Sequence, residues 1–143
     1  MASAALYTPR ILELATSLAE YGWDDALPLQ GSARSRSCGS TIELGLGLDD
    51  QGRVEQVGLR SQACAIGQAS AALFAREAAG KTADELRRSL QDMRQWLADD
   101  GPLPDWPGIE AIEPARDYPG RHGAILLAWQ AASEALSSGE TRG

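Results

Sequence analysis

Cys38, in the stretch RSCGST, and Cys64, in SQACAIGQAS, are the only two cysteines in a chain of 143 residues. Two thiols support three kinds of chemistry. They ligate a metal ion or cluster as thiolates, close a disulfide, or do neither and fill the core as small apolar groups. Cys64 immediately precedes a predicted helix, where unpaired N–H groups and the helix dipole favour thiolate over thiol. Arg34, Arg36 and Arg60 lie near the pair in sequence or across a predicted hairpin, and their charge acts in the same direction.

The chain between the cysteines decides whether they meet. From Thr41, TIELGLGL puts Ile42, Leu44, Leu46 and Leu48 on one face of a strand, DDQG supplies a turn with Asp49 and Asp50, and RVEQVGLRS returns as a second strand. A turn centred on Asp50 and Gln51 sets Cys38 opposite Cys64. The apolar alternation favours a register one residue away, pairing Leu46 with Val57 and Leu44 with Leu59, and a bulge reconciles the two. Facing residues have Cα atoms roughly 4.5 to 5.5 Å apart. That separation suits a shared metal and a disulfide equally, so spacing leaves the choice open.

Other elements frame this hairpin. TPRILELATSLAEYG offers Thr8 as N-cap, Pro9 at the first helical position and Ile11, Leu14 and Leu18 on one face, with Gly22 as the stop. DDALPLQGSARSRS holds no sustained period and reads as loop with room for one edge strand. IGQASAALFAREAAG is a small-residue helix closed by Gly80, whose alanines allow close approach to the sheet. KTADELRRSLQDMRQWLADDG opens with a Thr82–Glu85 capping box and repeats Leu86, Leu90, Met93 and Leu97 at helical spacing. Residues 101–120 hold five prolines and lead irregularly to RHGAILLAWQAASEALSS, with Ile125, Trp129, Ala132 and Leu136 in a stripe. Gly45, Gly47 and Gly58 fall in predicted strands, where they allow bending or close helix approach. Trp96 and Trp129 read as core or partner-facing anchors, and Trp106, near three prolines, as a loop clasp. The expectation is a single α+β domain over residues 1–143, a small antiparallel β-sheet with helices packed on one face.

Composition narrows the function classes. The hydrophobic and charged fractions, 43% and 23%, suit a globular protein, and no apolar run reaches the length of a membrane span. The start, MASAALYTPR, lacks the basic stretch and apolar core of a signal peptide, which leads to the expectation of a reducing, cytoplasmic location and disfavours the disulfide. Twenty acidic against 13 basic residues give a net charge of −7. Such a charge repels nucleic acid and anionic membranes and suits a cation or a protein partner. Phosphate-binding glycine loops, a His-Glu-x-x-His motif and a catalytic dyad are all missing, so the expectation is a protein that is not an enzyme.

From Cys38 onward, CGSTIELGLGLDDQGRVEQVGLRSQACAIGQASAALFAREAAGKT presents a Cys-Gly pair, a hairpin, a second cysteine and an Ala-Ser-rich helix ending in Gly-Lys. In that order the residues resemble the IscU-like family of iron–sulfur cluster assembly scaffolds, with its SufU and NifU N-terminal branches. YPGRHGAILLAWQAASEAL is similar to the SufU-type arginine, ligand helix and Leu-x-Trp run that follow a long insertion. The resemblance implies an IscU/SufU-like fold and a scaffold that takes iron, an iron–sulfur cluster or zinc on cysteine thiolates. It implies partners in the assembly pathway, a cysteine desulfurase and acceptor proteins.

Members of that family hold their cargo with three cysteines and an aspartate. Cys38 and Cys64 match the first two cysteines, Ser40 stands where the aspartate belongs, and Ala124 stands where the third cysteine belongs. The proline-rich chaperone motif of the IscU branch is not seen near YPGRHG. Three resolutions follow: His122, the only histidine, as a third metal ligand; a homodimer whose two chains supply four thiolates; or a metal-free interaction or regulatory paralogue. A persulfide sulfur carrier is the remaining reading, with Cys64 at the helix start as the better nucleophile.

Overall fold

Thr8 and Pro9 start the first helix as their chemistry dictates. The Thr8 hydroxyl accepts the Ile11 amide at 3.2 Å, and Pro9, with no N–H to satisfy, occupies the first turn of α1, Pro9–Ser17. Ile11 and Leu14 are buried along its inner face, and a 3₁₀ turn, Leu18–Tyr21, carries the chain to Gly22. This computed structural model describes residues 7–99 and 101–141. Residues 1–6, on which the expectation of no leader rests, lie outside the described residues, as do Asp100 and residues 142–143.

Three strands follow, β1 (Leu29–Arg34), β2 (Thr41–Leu48) and β3 (Val54–Gln62), antiparallel in the order β1-β2-β3. β1 is the edge strand for which the glycine- and serine-rich segment left room. In the β2–β3 ladder Leu44 faces Leu59 and Leu46 faces Val57, with an irregularity between Gly47 and Leu48. Apolar alternation therefore sets the register, because a slip of one residue would turn Ile42, Leu44 and Leu46 out of the core. The alternative register, with Cys38 directly opposite Cys64, is not adopted. The ladder ends at Thr41 and Gln62, and residues 35–40 form a turn back into β1 instead of extending β2.

Three longer helices complete the described chain: α2 (Ala65–Ala78), α3 (Ala83–Asp99) and α4 (His122–Thr141). The α3 capping box forms as expected, with the Glu85 amide donating to Thr82 Oγ1 at 3.2 Å and the Thr82 amide to Glu85 Oε1 at 3.0 Å. Two 3₁₀ segments, Ile109–Asp117 and Pro119–Arg121, order the proline-rich connection before α4. The close helix–sheet approach expected of α2 is made by α4. A β-carbon at position 31 of β1 would lie 2.2 Å from the Ala131 carbonyl oxygen, so only glycine admits the α4 backbone there. α2 packs chiefly on α1 and α4 and meets the sheet at β3. On the opposite sheet face Leu27 takes the space left by Gly45 and Gly58, where added β-carbons would fall 3.0 and 3.1 Å from its side chain.

Trp106 clasps its loop to the core. Its ring stacks on Phe74 with centroids 5.6 Å apart, and Trp129 meets both rings edge-on at 5.3 Å. The buried Trp106 Nε1–H donates to the Leu73 carbonyl at 2.9 Å. Trp96 and Trp129 are buried at 1% exposure each, which settles them as core anchors. Among the described residues no helix is long and apolar enough to cross a membrane.

Candidate functional site

The turn between β1 and β2 positions Cys38. The Ser35 amide donates to the Ser40 carbonyl and the Gly39 amide to the Ser35 carbonyl, both at 2.8 Å. Gly39 takes a left-handed φ of 72°, a conformation that favours glycine and lets the chain reverse with Cys38 exposed at the tip. The side chains of Ser35 and Ser40 fold inward beneath it, 3% and 5% exposed. Their hydroxyls lie 3.3 and 3.1 Å from the Cys38 sulfur.

These hydroxyls hold the Cys38 thiol below its ordinary pKa, Ser35 most and Ser40 next, against a smaller opposing effect of burial. The Ser40 amide and the Arg121 charge add to the lowering. The turn is braced against the start of α4. Ser35 and Ser37 hydroxyls are 3.2 Å apart, and Ser37 donates to the Gly120 carbonyl at 3.1 Å. At position 123 a β-carbon would sit 2.4 Å from Ser35 Oγ, so the turn can lean on α4 only because residue 123 is glycine.

Cys64 stands two residues beyond the last residue of β3 and is the N-cap of α2, half-buried, with extended backbone and no side-chain capping bond. Its carbonyl accepts the Gln68 amide at 2.9 Å. Because β2 begins at Thr41 and β3 ends at Gln62, the Cys38 turn and the Cys64 cap lie at the same end of the sheet. Both cysteines are free thiols. Ala124 reaches this end as well. It is 1% exposed and packs on the first turn of α2, where a β-carbon at position 67 would lie 3.3 Å from its own.

His122 sits at the first position of α4, and its Nε2 donates to the Arg116 carbonyl at 2.6 Å. A carbonyl only accepts, so Nε2 carries a proton and is not open to a metal. Among the described residues no three His, Cys, Asp or Glu side chains gather as a metal-holding group. The structure thus brings the two cysteines to one end and does not assemble a three-donor set with His122. Nor do the substituted positions help: the Ser40 hydroxyl is engaged with Cys38 and Ala124 has no donor atom. The residues present supply two of four donors and do not fit the family's complete set within one chain.

Two expectations about charge and reactivity change. Arg60 is spent on Glu43, with contacts of 2.8 and 3.2 Å, and lies over the Trp23 ring at 4.6 Å, while Arg121 is the arginine that acts on Cys38. The groups that stabilise a thiolate surround Cys38, whereas sequence reading put the better nucleophile at Cys64. Ser35 was missed because a serine in a serine-rich loop carries no periodic signal; its spacing of three from Cys38 was the only cue.

A model of the NifU-like N terminal domain matches residues 6–106 of the chain. Over 136 residues, 92% of each sequence, the chain is 29% identical to the iron-sulfur cluster assembly scaffold protein IscU of Thermotoga maritima. The crystal structure of a nitrogen-fixing NifU-like protein (N-terminal) from Brucella abortus superposes with a TM-score of 0.90 at 33% identity, covering 100% of both chains. A putative iron-sulfur cluster assembly scaffold protein for the SUF system from Fervidobacterium islandicum AW-1 shares the fold, with a TM-score of 0.82 and 22% identity over 94% of this chain and 98% of that one.

Proposed function

Because this chain belongs to the NifU-like N-terminal domain family, whose members are iron–sulfur cluster assembly scaffolds, we propose that it carries iron, an iron–sulfur cluster or zinc as cargo on Cys38 and Cys64. The thiolates accept metal and sulfide, a cysteine desulfurase is the partner that supplies sulfur, acceptor proteins take the cargo by ligand exchange, and the chain has no enzymatic role. One observation carries this reading: two free thiols lie at the same end of the sheet, and Cys38, the exposed one, is held toward thiolate by Ser35 and Ser40. Thiolates, not thiols, bind soft metals. Exposure gives incoming and outgoing ligands access to Cys38, while the half-buried Cys64 anchors the cargo at the α2 N-terminus.

Anaerobic purification with metal and sulfide analysis, absorption spectra and mass measurement tests the proposal, repeated for Cys38→Ala and Cys64→Ala. Wild type is expected to retain metal, and each variant to lose it. Wild type that stays free of metal and chromophore after reconstitution with iron and sulfide, or with zinc, defeats the proposal and leaves a metal-free interaction role.

The hydrogen bonds around Cys38 also favour a second reading, a persulfide carrier. The Cys38 thiolate attacks the outer sulfur of a donor persulfide, an S–S bond forms at Cys38, and the donor leaves as its own thiolate. Mass analysis after incubation with a persulfide donor is expected to add one sulfur atom to Cys38. Addition at Cys64 alone would reject this assignment.

A further inference from the structure

The sheet has two outer edges, and they are finished differently. Along β3 the chain covers its own edge. Gly22 bridges Leu59, the Val54 amide donates to the Lys81 carbonyl at 2.9 Å, and the Gly80 amide donates to the Val54 carbonyl at 2.8 Å. Along β1 nothing among the described residues pairs with the outer edge: its one ladder is with β2, and both isolated bridges lie elsewhere. The Ser35 amide donates to the Ser40 carbonyl, which continues the β1–β2 register by one pair. Bonds to β2 therefore fall at every second residue from there, at Ala33, Gly31 and Leu29. Gln30, Ser32 and Arg34 turn their backbone N–H and C=O groups outward, and all three residues are exposed. The Gln30 carbonyl is met from that side by the Ser138 hydroxyl at 3.5 Å.

Charge marks the same edge. From Ala26 to Ile42 the chain carries Arg34 and Arg36 and no acidic residue, in a protein with 20 acidic residues overall. Both arginines are exposed and neither has an ion pair among the described residues, whereas Arg10, Arg53 and Arg60 each have one. Glu43, opposite Ser32 on β2, is held by Arg60. An open edge is a template for another strand, and natural sheets guard such edges with charge. Arginine deters neutral strands and favours a strand that brings the opposite charge.

We propose that the outer edge of β1 is a docking site for an extended, acidic segment of a protein partner, which adds a fourth strand to the sheet. The added strand runs antiparallel to β1, as every pair in this sheet does, and exchanges backbone bonds with Gln30, Ser32 and Arg34. Its acidic side chains lie on the exposed face against Arg34, with Arg36 just beyond. Because β1 leads directly into the turn that carries Cys38, the partner's chain passes beside that thiol. The site stands apart from the cargo reading, since it needs neither a metal nor either cysteine.

The test uses the full chain, isotope-labelled, and a synthetic strand-forming peptide of alternating valine and glutamate, read by NMR titration and amide hydrogen exchange. In the free chain the Gly31 and Ala33 amides are expected to exchange slowly and those of Gln30, Ser32 and Arg34 fast. Peptide is expected to protect the three outward amides, and its binding to weaken as salt rises. Glutamine in place of the peptide's glutamates, or Arg34→Gln combined with Arg36→Gln, is expected to weaken binding roughly tenfold. Ser32→Pro, which removes one outward N–H and no bond to β2, is expected to lose binding. The same peptide with every backbone amide methylated is expected not to bind, a control that asks nothing of the variant's folding.

Unchanged exchange at Gln30, Ser32 and Arg34 at every soluble peptide concentration overturns the proposal. Equal affinity for the glutamate and glutamine peptides overturns the acidic partner. Protection of the same amides in the free chain, with light scattering at twice the 15.2 kDa mass, means that a second copy occupies the edge and overturns it as well.

Discussion

Around Trp129, Phe74 and Trp106 the rings meet within 5.6 Å on every side, and all three residues are buried. Around Cys38 the contacts are two hydroxyls and a nearby guanidinium, and the sulfur itself faces outward. The first region is held by ring packing, with the Trp106 N–H bonded to Leu73 and the buried Trp129 N–H without a hydrogen-bond partner among the described residues, and aromatic pairs of this kind contribute about 0.5–1.5 kcal/mol beyond simple burial. The second stabilises a charge and leaves part of its surroundings to be filled from outside. Packing and reactivity are thus divided between two regions that should respond to different perturbations.

Phe74→Ala should have the largest effect, costing about 3–5 kcal/mol in urea unfolding through the cavity it leaves between two indoles. The pH profile of Cys38 alkylation should not move in the same variant; a shift there would show that the two regions are coupled. Gly31→Ala comes next, at roughly 1–3 kcal/mol, because the new methyl meets the α4 backbone and neither partner is a flexible side chain. An unchanged unfolding midpoint would mean that α4 rides more loosely on β1 than its geometry states.

Ser35→Ala and Ser40→Ala invert the pattern. Ser35→Ala removes the hydroxyl contacts to Cys38 and Ser37 and Ser40→Ala the one to Cys38, each worth about 1 kcal/mol, and both should move the midpoint of Cys38 alkylation upward toward the ordinary thiol value. The sign follows from linkage. A lowered folded pKa contributes stability that is complete above the unfolded value, near 9.0, and is lost as pH falls through the lowered folded value. Wild type should therefore gain stability relative to Ser35→Ala as pH rises toward that value, with the difference fading at acid pH. Unfolding midpoints across pH check it, and an equal difference at all pH values would contradict it. Glu43→Gln should do least. Glu43 and Arg60 are both exposed, and the pair between them should leave the unfolding midpoint within measurement error.

Much of this division was legible in the sequence. Alternating Ile42, Leu44 and Leu46 fixed the β2–β3 register, and Thr8 and the Thr82–Glu85 box announced two helix starts, because periodicity and capping are local properties. β1 was harder to see. In LQGSAR the inward positions alternate as Leu29, Gly31 and Ala33, but two of the three are small, since Gly31 is there for the α4 backbone, and the apolar signal is weak. Trp106 gave no periodic signal in a segment of prolines, so its place against Phe74 could not be inferred from spacing.

At the site, the cysteine pair and the two departures at Ser40 and Ala124 were readable as types. What those residues touch was not, because Ser35 carries no periodic signal within its own turn and Arg121 acts on Cys38 from a distant segment. The family signal was carried by order and spacing.

α4 carries both regions on one rod. His122 at its first turn and Trp129 in the aromatic cluster are seven residues apart, about 10 Å along the axis at 1.5 Å per residue. Farther along, Ala131 and Ala135 press on Gly31. A helix clamped by a ring cluster and a strand gives way reluctantly at its start, so a protein docking against Cys38 meets a fixed wall on one side. The other side is the six-residue turn from Ser35 to Ser40, held to that wall by a hydroxyl bond to Gly120. On the proposed cargo reading, any adaptation to a partner falls to that turn, and its length limits how far Cys38 would travel.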